Sequence, residues 1–339
     1  MRSVRAAGYV LALWCGLVAP TSGGAASGEP PVCQGRDMLP ELVASDPAAE
    51  ARIEAAAAKV ENAGAMLWRI SRQGVKPSYL FGTIHLSDAR VTALPPSVEG
   101  ALRSAKRVAL EVADLSPKAF AAALGKLQQQ IVFKDGDGLV GVLDADELST
   151  ARSALTRVGF PAEAQSRLRP WFVTLMLAVT DCERARMQAG KEPLDLQIGQ
   201  HARSRGVPVL GLETLESQLL VMAGVPEADQ LSVLKATLKT HARTADAVET
   251  MLQRYLRREM GKVLPMQAEM IRAQGLDPAA MESFRHALLT VRNPRMRDAA
   301  LPILAKGEAF IAVGALHLIG DNGLVALLRQ SGYELAPVE

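Results

Sequence analysis

Short apolar runs, separated by polar and glycine-rich segments, occur near both ends of the 339-residue chain and around two central positions. Runs of this length, rich in Val, Ile, Leu and Phe, predict buried β-strands. The predicted strands cover residues 66–72, 78–84, 107–113, 206–214, 308–313 and 332–337. Gly74 to Pro77 separates the first two runs and predicts a turn.

The remaining pattern is helical. Apolar positions at helical spacing predict helices over 47–60, 95–104, 171–189 and 323–330, and helical character throughout 117–205 and 214–306. Prolines predict breaks in the second of these long stretches, at Pro226, Pro265, Pro278 and Pro294. We therefore predict an α/β (α+β) domain over 64–337, preceded by a lead-in and helix over 27–63. Its mixed central sheet is built from N- and C-terminal strands, and a large helical insertion covers the site.

One phrase occurs twice in the predicted strands. Residues 79–86 and 311–318 are both apolar runs that end in Gly-x-x-His-Leu, with the histidines at His85 and His317. Strand ends are where α/β proteins place binding and catalytic groups, so the two histidines predict one shared site. Gly82 and Gly314 would let the backbone turn tightly or approach a ligand closely.

Two carboxylates occupy similar positions. Glu111 lies within an apolar strand, and Glu213 ends another. A buried carboxylate is costly unless it is paired or bound to a metal. Glu111 could pair with an arginine, the candidates being Arg69, Arg107 and Arg292. Glu213 could instead cap the helix that starts near Thr214.

Imidazole and carboxylate groups together suit Zn, Mn, Fe or Co, so His85, Glu111, Glu213 and His317 form a candidate metal site. Each histidine could instead be a hydrogen-bonded structural residue. Arg292 and Asn293 could clamp a substrate carboxylate or carbonyl, or cap a helix. Asp181 and Asp195 are polar residues in apolar helical surroundings, and are candidates to support a ligand or cap a helix.

Several hydrolase and nucleotide-binding motifs are missing from the sequence. There is no Gly-x-Ser-x-Gly nucleophile elbow, no His-Glu-x-x-His helix and no phosphate-binding P-loop. Aromatic residues make up only 4% of the chain, which disfavours a base-stacking nucleic-acid surface.

The first 26 residues have the pattern of a secretory signal peptide. Arg2 and Arg5 precede an apolar stretch from Ala6 to Ala19, and small residues follow up to Ala26. Its removal lowers the 38 Lys and Arg residues to 36, equal to the 36 Asp and Glu residues. A neutral mature chain gives no reason to expect nucleic acid or an anionic membrane as partner, and no later segment is long enough to span a bilayer.

Cys33 and Cys182 remain after the predicted cleavage. In an oxidising compartment an isolated pair forms a disulfide, which would join the mature N-terminus to a mid-chain helix. The alternative is two buried free thiols. Neither cysteine has the spacing of a zinc site.

The sequence over 64–337 resembles the TraB/GumN family, which groups with the TIKI metalloproteases and, more distantly, with erythromycin esterases and ChaN-like haem-binding proteins. The matching segments are Leu-Trp-Arg at Trp68, Leu-Phe-Gly-Thr-Ile-His-Leu at His85, Leu-Glu-Val at Glu111, Arg-Pro-Trp at 169–171, Gly-Leu-Glu-Thr at Glu213, Arg292-Asn293, and Val-Gly-Ala-Leu-His-Leu-Ile-Gly at His317. Cys33-Gln34-Gly35 is similar to the exported bacterial branch.

The resemblance implies that both histidines and a glutamate converge on one divalent-metal site. His85 and His317 would be metal ligands, Glu111 a third ligand or the base, and Glu213 a second catalytic carboxylate. We therefore predict a periplasmic metallopeptidase that uses Zn, Mn or Co to activate water for attack on a peptide or small-molecule substrate. The alternatives are a protein that sequesters a peptide or small ligand without turnover, and a metal-free, esterase-like hydrolase in which glutamates orient His85 as general base.

Overall fold

A mixed six-stranded sheet forms the centre of the protein in the computed structural model, which describes residues 33–275 and 277–339. The strands in chain order are β1 (Leu67–Arg72), β2 (Val75–Thr83), β3 (Arg107–Val112), β4 (Val209–Glu213), β5 (Ala309–Gly314) and β6 (Glu334–Pro337). They lie side by side in the order β4-β3-β5-β2-β1-β6. The four strands β4, β3, β5 and β2 are parallel, whereas β1 is antiparallel to both β2 and β6. The predicted α/β class and mixed sheet are confirmed.

Helices connect the strands. Those before β3 are α1 (Leu39–Ser45), α2 (Pro47–Ala57), α3 (Ala89–Thr92) and α4 (Pro96–Ser104). Those between β3 and β4 are α5 (Pro117–Lys126), α6 (Gln128–Ile131), α7 (Ala145–Arg157), α8 (Ala162–Gln165), α9 (Pro170–Leu177), α10 (Asp181–Gln188) and α11 (Leu194–Ser204). Those between β4 and β5 are α12 (Leu215–Ala223), α13 (Glu227–Thr240), α14 (Thr244–Leu256), α15 (Val263–Arg272), α16 (Glu282–Arg285) and α17 (Arg292–Leu304), and α18 (Leu324–Gln330) precedes β6.

Single helical turns complete the connections. Four 3₁₀ turns among the described residues lie away from the strand ends, at Gly138–Gly141, His241–Arg243, Met260–Lys262 and Pro278–Met281. A 3₁₀ turn at Ala315–His317 follows β5 directly. A π-helical turn at His286–Thr290 runs directly into the segment that begins α17.

Both faces of the sheet carry buried side chains, because successive residues along a strand point to opposite faces and helices cover both sides. On one face Trp68, Ile70 and Leu80 join a core that includes α17 and α18. On the other face Leu67 and Phe81 pack against the helices of the insertion. The result is a three-layer arrangement in which helices cover both faces of the central strands, whereas β4 and β6 at the two edges of the sheet keep exposed residues.

Several local predictions are wrong. The segment 171–189 is two helices, because Thr180 caps α10 by accepting a hydrogen bond from the backbone N–H of Glu183. The hairpin turn lies at Gln73-Gly74, where Gly74 has a φ of +75°, and β2 already begins at Val75. Pro265 lies inside the first turn of its helix, where a missing N–H costs nothing.

Pro294 likewise lies inside the first turn of α17 and does not separate two helices. Pro226 immediately precedes α13, as predicted, and Pro278 begins a 3₁₀ turn. The lead-in contains a further short helix, α1, ahead of the predicted one.

The N-terminal segment is fastened to the insertion. A disulfide joins Cys33 to Cys182, as predicted. The backbone N–H of Met38 donates to Thr250 Oγ1 at 2.9 Å. Gly35 lies so close to α14 that a Cβ atom there would collide with the Ala245 carbonyl oxygen. Residues 1–26, the predicted signal peptide, lie outside the described residues.

None of the helices in 33–275 and 277–339 combines the length and the apolar character needed to cross a bilayer.

Candidate functional site

The carboxyl ends of the four parallel strands meet at one edge of the sheet. Thr83, at the end of β2, lies opposite Gly314 at the end of β5, and Val112 of β3 lies opposite Glu213 of β4. This edge is the usual position of functional groups in parallel sheets. It brings together four predicted site residues, His85, Glu111, Glu213 and His317.

Glu111 is at the centre of this group. Alternation along β3 turns its side chain to the face that also carries Ala109, which packs toward α17. Its Oε1 atom lies 3.8 Å from His85 Nε2 and 3.7 Å from His317 Nε2, both longer than a hydrogen bond. The same oxygen accepts a hydrogen bond of 2.6 Å from the backbone N–H of Gly314.

Asp195 orients His85. Its Oδ2 atom lies 2.7 Å from His85 Nδ1, and its Oδ1 accepts a 2.5 Å hydrogen bond from Thr83 Oγ1. Asp195 lies in the first turn of α11 and is 7% exposed. With both carboxylate oxygens engaged, it fixes the ring of His85 so that Nε2 points toward Glu111.

Asn293 orients His317 in the same way. Its Nδ2 donates to the Asn322 carbonyl oxygen at 2.7 Å, which identifies Oδ1 as the atom that faces His317 Nδ1 at 2.6 Å. The His317 Nδ1 atom must therefore carry the proton, since an amide oxygen only accepts. Nε2 is left with a lone pair directed at the Glu111 carboxylate.

Arg292 pairs with both glutamates. Its guanidinium donates to Glu111 Oε2 at 2.6 Å and to Glu213 Oε1 at 2.8 Å, and it is only 1% exposed. A third contact, of 3.3 Å, goes to the carbonyl oxygen of Leu288 in the π-helical turn. Gln218 Nε2 donates to Glu111 Oε2 at 3.2 Å. These contacts hold Glu213 and the Oε2 atom of Glu111, and they leave Glu111 Oε1 facing the histidines.

Two alternatives considered from the sequence can now be decided. Of the three arginines considered, Arg292 is the one that pairs with Glu111. The side chain of Thr214 caps α12, whereas Glu213 pairs with Arg292. Arg292 and Asn293 therefore contact other protein groups here, and their binding of substrate stays a prediction.

The surroundings shift the pKa values of Glu111, His85 and His317 in different directions. Burial opposes ionisation of Glu111, but Arg292, the two histidines and the Gly314 N–H together outweigh it and hold the pKa of Glu111 well below its usual range. Burial would lower the pKa of His85, yet the Asp195 carboxylate raises it to about 9. Burial lowers the pKa of His317 to about 3, and Arg292 contributes. At neutral pH Glu111 is anionic and His317 is neutral.

The two motif glycines have different surroundings. A Cβ atom on Gly314 would lie 3.2 Å from Glu111 Oε1 and 3.6 Å from His85 Nε2, so its absence leaves the space between these groups open. A Cβ atom on Gly82 would meet Ala315, with Cα at 3.1 Å. The carbonyl oxygen of Gly82 accepts a 2.9 Å hydrogen bond from Tyr255 Oη in the insertion.

A cavity opens in front of these groups. Its empty volume is about 860 Å³, including the part open to solvent. His85, Glu111, Asp195 and His317 line its polar end. Large apolar side chains from the insertion and the strand ends form most of the remaining wall, so the chemistry lies at one end of an apolar pocket.

The loop after His85 is held by ionic contacts. Glu183 Oε1 accepts from the Ser87 backbone N–H at 2.6 Å, and Asp88 pairs with Arg90 at 2.9 Å and with Arg186 at 3.0 Å. Burial would raise the pKa of Asp88, but the two arginines, with Arg90 the stronger, hold it far below its usual range. Since Glu183 follows Cys182, the disulfide lies next to this support.

Sequence reasoning found part of the supporting structure. Asp195 was a candidate from its apolar surroundings, and it contacts His85. Asp181 was a similar candidate, but it lies on the surface and pairs with Arg184. Gln218 and Asn322 were missed, because a polar residue in a helix or loop carries no signal of a partner far away in the chain.

The described residues contain no set of three or more His, Cys, Asp or Glu side chains already spaced as a metal site. The donor atoms of His85, His317 and Glu111 nevertheless converge, and each histidine has its Nδ1 atom engaged, as metal-binding histidines do.

The fold and the site define an α/β protein with a histidine–carboxylate centre at the carboxyl edge of its parallel strands. The chain belongs to the TraB/PrgY/gumN family, whose profile matches residues 66–337. This confirms the family resemblance found in the sequence.

Named relatives include bacterial and vertebrate proteins. The uncharacterized protein YbaP of Escherichia coli strain K12 is 25% identical over 264 residues, which cover 77% of this chain and 90% of YbaP. Metalloprotease TIKI2 of Danio rerio is 25% identical over 314 residues, covering 79% of this chain and 60% of TIKI2. TIKI2 of Xenopus tropicalis is 26% identical over 324 residues, with 81% and 60% covered. No solved structure matches the chain.

Proposed function

We propose that this chain is an exported hydrolase that cleaves peptide bonds with a divalent metal ion held by His85, His317 and Glu111. One observation carries the proposal. The bare Nε2 of His317 faces the ionised Oε1 of Glu111 at 3.7 Å, and His85 Nε2 lies 3.8 Å from the same oxygen. Electron-rich atoms in a buried site repel each other unless a cation compensates them, and a divalent ion that displaces the proton of His85 would do so for all three groups.

The donor set fits such an ion. Imidazole nitrogen and carboxylate oxygen suit Zn, Mn or Co, and hydrogen bonds from Nδ1 to Asp195 and Asn293 would hold both rings in place. The open space beside Gly314 lies next to all three groups. Binding requires these three side chains to draw together, since none of the described clusters is already spaced as a metal site.

When bound, the ion would supply Lewis acidity, which polarises a scissile carbonyl and makes water more acidic. The chain's own groups prepare the site for it. Arg292 and the Gly314 N–H keep Glu111 ionised and fix its orientation. Because its pKa is so low, Glu111 suits the role of ligand better than that of general base. Glu213 acts on Glu111 indirectly, by holding Arg292.

Two further observations support parts of this proposal. The disulfide between Cys33 and Cys182 is expected of a protein that folds in an oxidising compartment, which agrees with the predicted signal peptide and a periplasmic location. The similarity to proteins named as metalloproteases supports peptide hydrolysis.

The test combines metal analysis with a cleavage assay. Protein purified from the periplasm without chelator is analysed by elemental mass spectrometry and incubated with a peptide library. We expect about one divalent ion per chain, and cleavage that stops with chelator and returns with metal. His85→Ala/His317→Ala should lose both metal and cleavage, whereas His201→Ala, which changes an exposed histidine, should keep them. Full cleavage by chelated protein or by the double variant would refute the proposal.

One contact favours a second candidate, a metal-free hydrolase. Asp195, and not the predicted glutamates, orients His85 through the 2.7 Å contact, which gives a histidine–aspartate pair facing the cavity. Without a metal ion to displace its proton, the pKa of about 9 keeps His85 protonated and a weak general base at neutral pH, which counts against this candidate. Turnover by chelated protein that disappears in Asp195→Asn would favour it.

A further inference from the structure

The wall of the cavity is apolar wherever it does not carry the histidine–carboxylate groups. Six large side chains form much of this wall, Leu115, Met251, Met260, Leu288, Leu289 and Leu316. Most of them belong to the insertion or to loops that follow the strands. The sheet thus supplies the reactive end of the cavity, and the insertion supplies most of the surface that a ligand would contact.

The carboxylates and the guanidinium at the reactive end already have protein partners. Both oxygens of Asp195 accept hydrogen bonds, from Thr83 and His85. Both oxygens of Glu111 are engaged, and Arg292 bridges two carboxylates and a carbonyl oxygen. A carboxylate buried here would lie beside the ionised Glu111, and an ammonium group would lie beside Arg292 and the protonated His85, so either would displace an existing contact or remain uncompensated.

We infer that the cavity binds an uncharged, apolar stretch within a polypeptide, with a large aliphatic side chain against the wall, and that it rejects acidic or basic side chains and free chain ends at that position. As a statement about substrate the inference rests on the proposed hydrolase function. The preference for uncharged, apolar groups does not rest on that function, because the apolar wall and the engaged charged groups are present without metal.

Binding is measured first, on chelated protein, so that turnover does not interfere. The probes are four blocked tetrapeptides with central Leu-Leu, Ala-Ala, Glu-Glu or Lys-Lys, and the Leu-Leu peptide with both ends free, titrated by calorimetry. Each buried methylene is worth about fourfold in affinity, so one buried leucine should bind at least about tenfold more tightly than alanine. We expect the charged and free-ended peptides to bind at least about tenfold more weakly than the blocked leucine peptide.

Variants locate the binding to this cavity. Leu115 is half-buried in the loop after β3, and Leu115→Lys should weaken leucine-peptide binding about tenfold and favour the glutamate peptide. The matched control is Val140→Lys, at an apolar residue that is 48% exposed and outside the cavity, and it should change neither affinity. If Leu115→Lys does not fold, Met260→Ala reports instead, because it enlarges the cavity and should shift preference from the leucine peptide to an additional blocked peptide with central Phe-Phe.

The outcomes separate the ligand class from the reaction. Equal affinity for all peptides, or tighter binding of a charged or free-ended peptide, would overturn the inference. The same peptides are then incubated with metal-loaded protein. Selective binding of the leucine peptide without cleavage would support the inferred ligand class and refute the proposed hydrolase function. Preferential cleavage of the glutamate or lysine peptide would refute the ligand class and support the hydrolase function.

Discussion

The pair Gly314→Ala and Gly82→Ala is the sharpest test of how the site is built. Both glycines begin a Gly-x-x-His-Leu segment, but a methyl group would meet different neighbours at each. At Gly314 it would lie 3.2 Å from Glu111 Oε1 and 3.6 Å from His85 Nε2, within the proposed metal-binding space. At Gly82 it would lie 3.1 Å from both Ala315 Cα and a methyl group of Leu318, within packed core.

The two variants should therefore fail in different ways. Gly314→Ala displaces a proposed ligand by a few tenths of an ångström, and disturbing the groups around a metal typically lowers its affinity about 10- to 100-fold, or about 1.4–2.8 kcal/mol. Its stability should change by no more than about 1 kcal/mol, because Glu111 Oε1 borders open space. Gly82→Ala should cost about 1–3 kcal/mol of stability through overpacking and leave metal affinity nearly unchanged.

Each variant is stripped with chelator, titrated with Mn²⁺ and Zn²⁺ by calorimetry, and unfolded in urea. Wild-type metal affinity in a folded Gly314→Ala protein would refute the assignment of this space to the ion. An equal loss of affinity in Gly82→Ala would show that the effect is general loosening and not local occlusion.

Three further predictions concern the groups that support the site. Arg292→Met leaves Glu111 and Glu213 buried without their arginine counter-ion. We therefore expect the free energy of unfolding, measured in urea, to fall by about 3–5 kcal/mol, and wild-type stability would contradict the buried pairing. Cys33→Ser removes a disulfide that spans 149 residues. The chain-entropy relation gives an upper value of about 5 kcal/mol for the resulting loss of stability. An unchanged urea midpoint under non-reducing conditions would show that the bond contributes nothing. Asp88 has a folded pKa below its unfolded value of about 3.9, so its contribution is present above about pH 4 and is lost as the pH falls through the folded pKa. Wild type and Asp88→Asn should therefore converge in unfolding free energy under acid, and a constant difference between pH 7 and pH 3 would contradict this.

The sequence predicted the strands and the meeting of the histidines because both depend on local patterns. Apolar runs give the strands, and the carboxyl ends of parallel neighbours necessarily meet, which brings His85 and His317 together. The break before α10 could also have been found. Thr180 is followed three residues later by Glu183, which is a helix-start signal hidden by the apolar run before it.

The partners of the site residues could not be predicted in this way. Asp195 lies 110 residues from His85, and Arg292 lies 181 residues from Glu111. Such pairs depend on which helix of the insertion covers which strand end, and no local pattern encodes that choice. For the same reason the sequence alone leaves Arg292 as a candidate substrate clamp, whereas in the structure it pairs with two carboxylates.

The position of β5 has a consequence for the order in which the protein is made. This strand lies between β2 and β3, yet it comes from residues 309–314 and therefore leaves the ribosome long after both of its neighbours. The sheet cannot close around it before then, because non-local pairings wait for the last partner strand. A nascent chain would thus lack His317 and a complete reactive centre for most of its synthesis. If the chain is exported unfolded, as proposed, this delay would keep it open for transport and would postpone the assembly of the site until after transport.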